Sequence, residues 1–242
     1  MFNKTIFLVI KVNKKIVTAI IVFILLLILI PLFISNNPIA VFNANRKIIV
    51  VDPGHGGIDG GSSSAGLLEK TVNLQVSLKL KKILKDKGIN VVMTRNSDVS
   101  LESKSNLKSS RYNRDLHARR TIIDSNNSTA FVSVHMDSYK KSSVRGVRIF
   151  YYSESEESKQ LAQSICNSVN KMVFKDFLNV TNIKAEIATG NYYILRTSKS
   201  PGVIIETGFI TNPIDNRLIQ TKDYQQVMAK AIAEGIVEYM YR

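Results

Sequence analysis

The chain has 242 residues and a formal charge of +14, from 33 lysines and arginines against 19 aspartates and glutamates. Its single cysteine, Cys166, excludes an internal disulfide and a thiolate zinc cluster. The length fits one domain with a full core behind a distinct N-terminal segment, and the charge favours anionic surroundings such as wall polymer or anionic lipid.

Residues 1–15 form a basic N-terminus carrying Lys4, Lys11, Lys14 and Lys15, and no acidic residue precedes Asp52. From Ile16 to Ile34 the chain is uncharged and apolar, long enough to cross a hydrocarbon core of about 30 Å. The lysine flank predicts a cytoplasmic N-terminus with the bulk of the chain exported, which argues against nucleic acid as a partner. The run exceeds the usual signal-peptide core and no A-x-A site follows it, so residues 16–34 are expected to stay as a transmembrane signal anchor. Residues 35–45 read as a linker and residues 46–242 as the catalytic domain. Setting the four anchor-side lysines aside leaves 29 basic and 19 acidic residues, a net of about +10 on the exported part.

KIIVV (47–51) is a continuous β-branched run typical of a buried strand. From Lys70 to Lys87, Val72, Val76, Leu80, Ile83 and Leu84 recur at helical spacing, and Gly88 supplies the stop. INVVMTR (89–95) returns to strand. Residues 96–116 are polar and serine-rich, a surface loop leading to a helix at about 114–126. AFVSVHMD (130–137) and GVRIFYY (146–152) read as strands, followed by an amphipathic helix at about 155–173 and a less regular stretch containing YYILR (192–196). PGVIIETGFI (201–210) reads as a buried strand, with a short helix after Pro213 and a final one from about Asp223. This alternation predicts a single α/β domain of three layers. Its central sheet is mostly parallel or mixed, with helices on both faces, and the transmembrane helix precedes it.

VVDPGHGGIDGGSSSAGLLEK (50–70) sets His55 in a glycine-rich stretch directly after the first strand. Gly54, Gly56 and Gly60 are spaced one residue too long for a dinucleotide loop, and Leu67 and Leu68 stand where a P-loop needs Lys and Ser/Thr. In open α/β sheets ligands collect outside strand ends. Three strand ends here carry chemistry: His55 after the first, His135 in SVHMDS, and Glu206 in VIIETGF. A carboxylate directly behind Val203, Ile204 and Ile205 is costly unless paired or bound to a cation. A catalytic zinc site takes three protein ligands, often two His and one Glu. His55, His135 and Glu69 at a helix start supply that set, and Glu206 remains as the base. Each residue also has a plainer reading. His55 can be structural, Glu69 can complement the helix N-terminus, and Glu206 can pair with Arg95 or Arg196. His117, in RDLHARR, reads as a solvated or packing residue.

Taken in order, VDPGHGGIDGG, the glutamate of LLEKTVNL, SVHMDS and IIETGFITNP resemble the zinc-dependent N-acetylmuramoyl-L-alanine amidases of the type 3 family, over about residues 47–242. The resemblance implies one zinc per chain held by His55, Glu69 and His135, with Glu206 as catalytic base. It implies hydrolysis of the amide between the lactyl group of N-acetylmuramic acid and L-alanine, so the expected partners are peptidoglycan glycan strands and stem peptides. No wall-binding module is evident, and control by membrane tethering or an activating partner protein is expected instead. The short chain, the anchor and NYYILRTSKSPGVIIETGFITNP resemble the germination-specific amidases of spore formers. That implies cortex maturation through muramic-δ-lactam formation, at the forespore membrane facing the cortex. One departure is Asp137, where the family usually has Asn two residues after its second histidine; it bears on hydrogen bonding around the site. Two other readings stay open: a zinc carboxypeptidase or endopeptidase acting within the stem peptide, and a non-catalytic wall-binding protein with a structural metal. A serine hydrolase is disfavoured, because no G-x-S-x-G elbow occurs.

Overall fold

A computed structural model describes residues 13–36 and 47–242. The chain divides into two compact units, Met1–Asn45 and Arg46–Arg242. Most of the basic N-terminus (1–15) and of the linker (35–45) lies outside the described residues. The first unit contains helix α1 (Lys14–Asn36), whose side chains are described only through Leu27 and at Leu29. Among the described residues no helix is long and apolar enough to cross a membrane; the expected span, Ile16–Ile34, reaches beyond those side chains.

The second unit begins with β1 (Ile48–Pro53), then a two-residue hairpin, β2 (Ser63–Ser64) and β3 (Leu67–Leu68), running directly into α2 (Glu69–Asp86). It continues through β4 (Asn90–Met93), α3 (Arg111–Ser125), β5 (Ala130–Asp137), β6 (Val147–Tyr151) and α4 (Glu156–Val169), which a π-helical stretch prolongs from Asn170 to Phe177. β7 (Ala185–Thr189), α5 (Tyr193–Thr197), β8 (Gly202–Phe209), α6 (Pro213–Ile219) and α7 (Lys222–Met240) complete it. The main sheet has the order β4-β1-β5-β8-β6-β7. β4, β1, β5 and β8 are parallel, while β6 runs antiparallel to β8 and carries β7 parallel to itself. It is the mixed, mostly parallel α/β sheet expected.

Strand alternation separates two cores. Ile49 and Val51, Ala130, Val132 and Val134, and Val203 and Ile205 pack into a large cluster with α2, α4 and α7. Val50, Phe131 and Ile204 point the other way, into a small cluster with Ile123 of α3 and Ile194 and Leu195 of α5. Helices therefore cover both faces, and the smaller core leaves a crevice on its face. Local signals set the helix starts: Ser110, Ser155, Asn212 and Thr221 each cap a helix through the side chain. At α2 the capping position is Leu68, which has no such bond, and the first-turn carboxylate of Glu69 is committed elsewhere.

Candidate metal centre

β1 ends at Pro53, and the chain then turns through Gly54 into His55, which sits in the left-handed region at φ 59°. That conformation is uncommon for a residue with a Cβ. It sends the imidazole back toward the start of α2, where Glu69 Oε1 lies 3.1 Å from His55 Nε2. The same oxygen lies 3.0 Å from His135 Nδ1 on β5 and accepts from the Met136 N–H at 3.2 Å. Glu69 Oε2 accepts from the Ser62 N–H at 2.8 Å, so the hairpin before α2 fixes the carboxylate. His55, Glu69 and His135 each offer one ligand atom, and these lie within 4.8 Å of one another.

Two glycines make this closeness sterically open. A Cβ at Gly54 would lie 2.2 Å from His135 Cε1, and one at Gly61 would lie 2.6 Å from Glu69 Oε2 and 2.7 Å from His55 Cδ2. Gly61 also has φ 67°, a conformation glycine adopts without penalty.

The donor set fits a zinc-type ion. Ligand atoms about 2.0–2.2 Å from a tetrahedral ion are about 3.3 Å apart, close to the two separations around Glu69 Oε1. The second layer fits as well. Asp59 Oδ2 lies 2.8 Å from His55 Nδ1, the contact that would hold a proton on Nδ1 and free Nε2 for a metal. Burial alone would raise the pKa of Glu69, but the two imidazoles hold it far below the ordinary carboxylate range. Burial alone would lower the pKa of His55, yet Glu69 and Asp59 raise it.

Glu206 is the register partner of His135 across β5 and β8. It is 9% exposed, and its Oε2 has no hydrogen-bond partner. Burial first, then the charges of Glu69 and Asp137, push its pKa well up, with Arg148 opposing. The ion pairs with Arg95 or Arg196 do not form. Arg95 donates to the backbone carbonyls of Pro53, Gly54, Lys70 and Ser97, and Arg196 lies over the Tyr193 ring. A bulge between β5 and β8 follows His135, a device common beside active sites. His55, His135 and Glu206 share one cavity of about 240 Å³, walled by Tyr112, Leu116, Tyr192 and Ile194. His117 instead meets Ser105 Oγ at 3.0 Å on α3.

Beneath the centre lies a buried network that the sequence reading did not assign. Asp52 accepts from Arg119 Nη1, Ser133 Oγ and Thr94 Oγ1 at 2.6, 2.6 and 2.5 Å. Burial pushes the Asp52 pKa up, but Arg119 and the two hydroxyls win and lower it. Arg119 also donates to the carbonyls of Pro53 and His55 at 2.8 and 2.7 Å, fixing the turn that presents His55. Asp115 of α3 accepts from Arg119 Nε at 2.6 Å. The only sequence signal for this was Asp52 itself, a carboxylate at the end of an apolar strand.

Residues 49–238 match the Amidase_3 family, described as N-acetylmuramoyl-L-alanine amidase. The chain is 34% identical over 194 residues to the germination-specific N-acetylmuramoyl-L-alanine amidase of Bacillus subtilis (strain 168), covering 80% of this chain and 79% of that one. It is 33% identical over 211 residues to the probable cell wall amidase LytH of Staphylococcus epidermidis, covering 85% of this chain and 61% of LytH. Among solved structures, it superposes with a TM-score of 0.72 and 33% identity on the CwlD amidase from Clostridioides difficile in complex with the GerS lipoprotein. That match covers 80% of this chain and 98% of the other.

Proposed function

The chain belongs to the N-acetylmuramoyl-L-alanine amidase family, and from that premise we propose that His55, Glu69 and His135 hold one zinc ion while Glu206 serves as catalytic base. The carrying observation is the convergence of two imidazole nitrogens on one buried carboxylate oxygen, in the same cavity as a glutamate whose Oε2 has no partner. An ion-pair role for Glu206 would leave neither the orphaned oxygen nor the raised pKa.

When bound, zinc supplies Lewis acidity toward the amide carbonyl and toward water. Glu206 accepts a proton from the attacking water and delivers it to the departing L-alanine nitrogen. One water thus adds across the lactyl–alanine amide, leaving a carboxyl on muramic acid and an amine on the peptide. In the metal-free chain burial and the charges of Glu69 and Asp137 raise the Glu206 pKa, the direction that strengthens a proton acceptor. Asp59 and Arg119 do no proton chemistry: the first orients the His55 ring and the second holds its backbone.

Peptidoglycan lies outside the cytoplasm, and the lysine-flanked apolar segment at residues 16–34 would tether the domain to the membrane's outer face. Similarity to the Bacillus subtilis germination amidase supports a role in preparing spore cortex. Similarity to the Clostridioides difficile amidase in complex with a lipoprotein supports a lipoprotein as partner. Metal analysis of the purified chain, with mass spectrometry of muropeptides after digestion, tests the core of this reading. About one zinc per chain and new L-alanine amino termini are expected, and His55→Ala and His135→Ala should lose both. Full activity in chelated, metal-free protein would overturn the zinc assignment, and cuts within the stem peptide would favour a peptidase.

A further inference from the structure

Of the arginines near this centre, Arg95 and Arg119 are saturated. They are 2% and 3% exposed and direct their N–H groups onto carbonyls and carboxylates of the fold. Arg148 differs. It lies on β6 directly opposite Glu206, in a row Glu186–Arg148–Glu206–His135 that crosses β7, β6, β8 and β5. Its side chain is 41% exposed, and among the described residues its guanidinium donates no hydrogen bond. Nη1 stands 3.6 Å from Asp137 Oδ2, and Cζ lies 5.3 Å from the Phe209 ring centroid. The first distance is too long for a hydrogen bond. A permanently charged fork with five donors is left for solvent or a ligand.

Proton transfer does not explain it, because a cation beside the base weakens that base. The substrate does. Near the scissile bond the glycan side is neutral, since its lactyl carboxyl is tied up in the amide. The peptide side is anionic. Its second residue, a glutamate joined through the side-chain carboxyl, keeps a free α-carboxylate, or a carboxamide in amidated walls. That group lies about two residues, roughly 7 Å, from the scissile carbon. Arg148 stands two strands from His135, about 10 Å, and lines the neighbouring pocket with Phe209 rather than the cavity of His55, His135 and Glu206, so a peptide leaving the centre across β8 meets it there.

Resting on the amidase reading of the site, we infer that Arg148 is a specificity residue that receives the α-carboxylate of the stem peptide's second residue as a bidentate pair. Asp137, standing in place of the amide expected there, competes for the same guanidinium.

The test uses the zinc-loaded full chain and two muramoyl peptides that differ only in carboxylate or carboxamide at that position. The wild type should prefer the carboxylate by about 10–100-fold in kcat/KM, mostly through KM. Arg148→Gln should abolish the preference by losing the carboxylate substrate alone, Arg148→Lys should keep part of it, and Asp137→Asn should enlarge it. Equal use of both peptides by the wild type overturns the inference, with no variant needed. A preference that survives Arg148→Gln overturns it too, as does an equal loss on both substrates. If Arg148→Gln does not fold, the wild type and Arg148→Lys decide. Failure to cut either peptide at the muramoyl–alanine bond would strike the amidase reading, whereas cutting both alike strikes only the role of Arg148.

Discussion

Adding one methyl group at Gly54 should dismantle the metal centre while leaving the fold standing. Gly54 lies outside the left-handed region, so alanine adopts its backbone without strain. The new Cβ, however, would sit 2.2 Å from His135 Cε1, 2.3 Å from Nε2 and 2.6 Å from Nδ1. Ordinary carbon contacts are about 3.5–4.0 Å, so the ring must withdraw by more than about 1 Å. Its Nδ1 now lies 3.0 Å from Glu69 Oε1, and an ion with bonds of about 2.0–2.2 Å cannot follow such a retreat. The displaced ring has cavity to move into. Overpacking therefore costs about 1–3 kcal/mol, roughly 2–4 °C of Tm for each kcal/mol in a domain this size. A misplacement of about 1 Å typically costs about 10² in rate, and zinc affinity should fall with it. Zinc content, release of L-alanine amino termini and thermal melting, measured on one preparation, separate the three effects. A Gly54→Ala protein with one zinc and near-wild-type turnover would refute His135 as a ligand.

Glu206→Gln should keep its zinc and lose about 10²–10⁴ in kcat; a zinc-loaded, fully active variant removes Glu206 from the mechanism. Because the folded pKa of Glu206 lies above 4.5, its charge opposes folding as pH rises through that value. The metal-free Glu206→Gln chain should accordingly melt higher than wild type at neutral pH, and an equal or lower Tm would contradict this. Arg119→Leu strands the Asp52 carboxylate and should cost about 3–5 kcal/mol in urea unfolding; a loss below about 1 kcal/mol would show the pair to be dispensable. Asp52 has a folded pKa below 3.8, so the stability it contributes is present above that pH and lost as pH falls below it. Asp52→Asn should flatten this part of the Tm–pH curve, and an unchanged acid slope would be evidence against it.

The candidate site was legible because each of its proposed members sits where sequence speaks loudly. His55, His135 and Glu206 end or interrupt apolar strands, and Glu69 opens a periodic helix. The neighbours of these residues were harder to see. Arg119 and Asp115 lie in NRDLHARR, which reads as a solvated helix, yet Arg119 is 3% exposed because it is neutralised by Asp52 on a distant strand. No local pattern encodes a pairing across 67 positions. β7 was missed because AEIAT is short, half exposed and without an apolar run. YYILR proved to be the one-turn helix α5, held by packing of Ile194 and Leu195 against Phe131 and Ile204 rather than by propensity. The helix from about 155 to 173 continues instead as a π-helical stretch to Phe177, a change of winding that residue types do not announce.

The same pleat that builds the core also builds the site. On β5, Ala130, Val132, Val134 and Met136 enter the large core, which leaves Phe131, Ser133, His135 and Asp137 on the crevice face. On β8, Val203 and Ile205 do the same, leaving Ile204 and Glu206 beside them. A slip of one residue would drive His135 and Glu206 into hydrocarbon and expose the valines. The apolar pattern therefore holds the register that sets His135 opposite Glu206, and Arg148 opposite Glu206 on its other side. Packing energy in the large core thus fixes the spacing between the proposed base, the proposed ligand and the inferred carboxylate site. Asp52 and Ser133 occupy the same row on β1 and β5, one step inward, and the bonds that Asp52 accepts from Ser133 and from Arg119 satisfy polar groups that the register would otherwise bury unpaired. On β8 the Oε2 of Glu206 is left unpaired. Its cost is the natural counterpart of the base role proposed for Glu206, which requires an oxygen free to accept a proton.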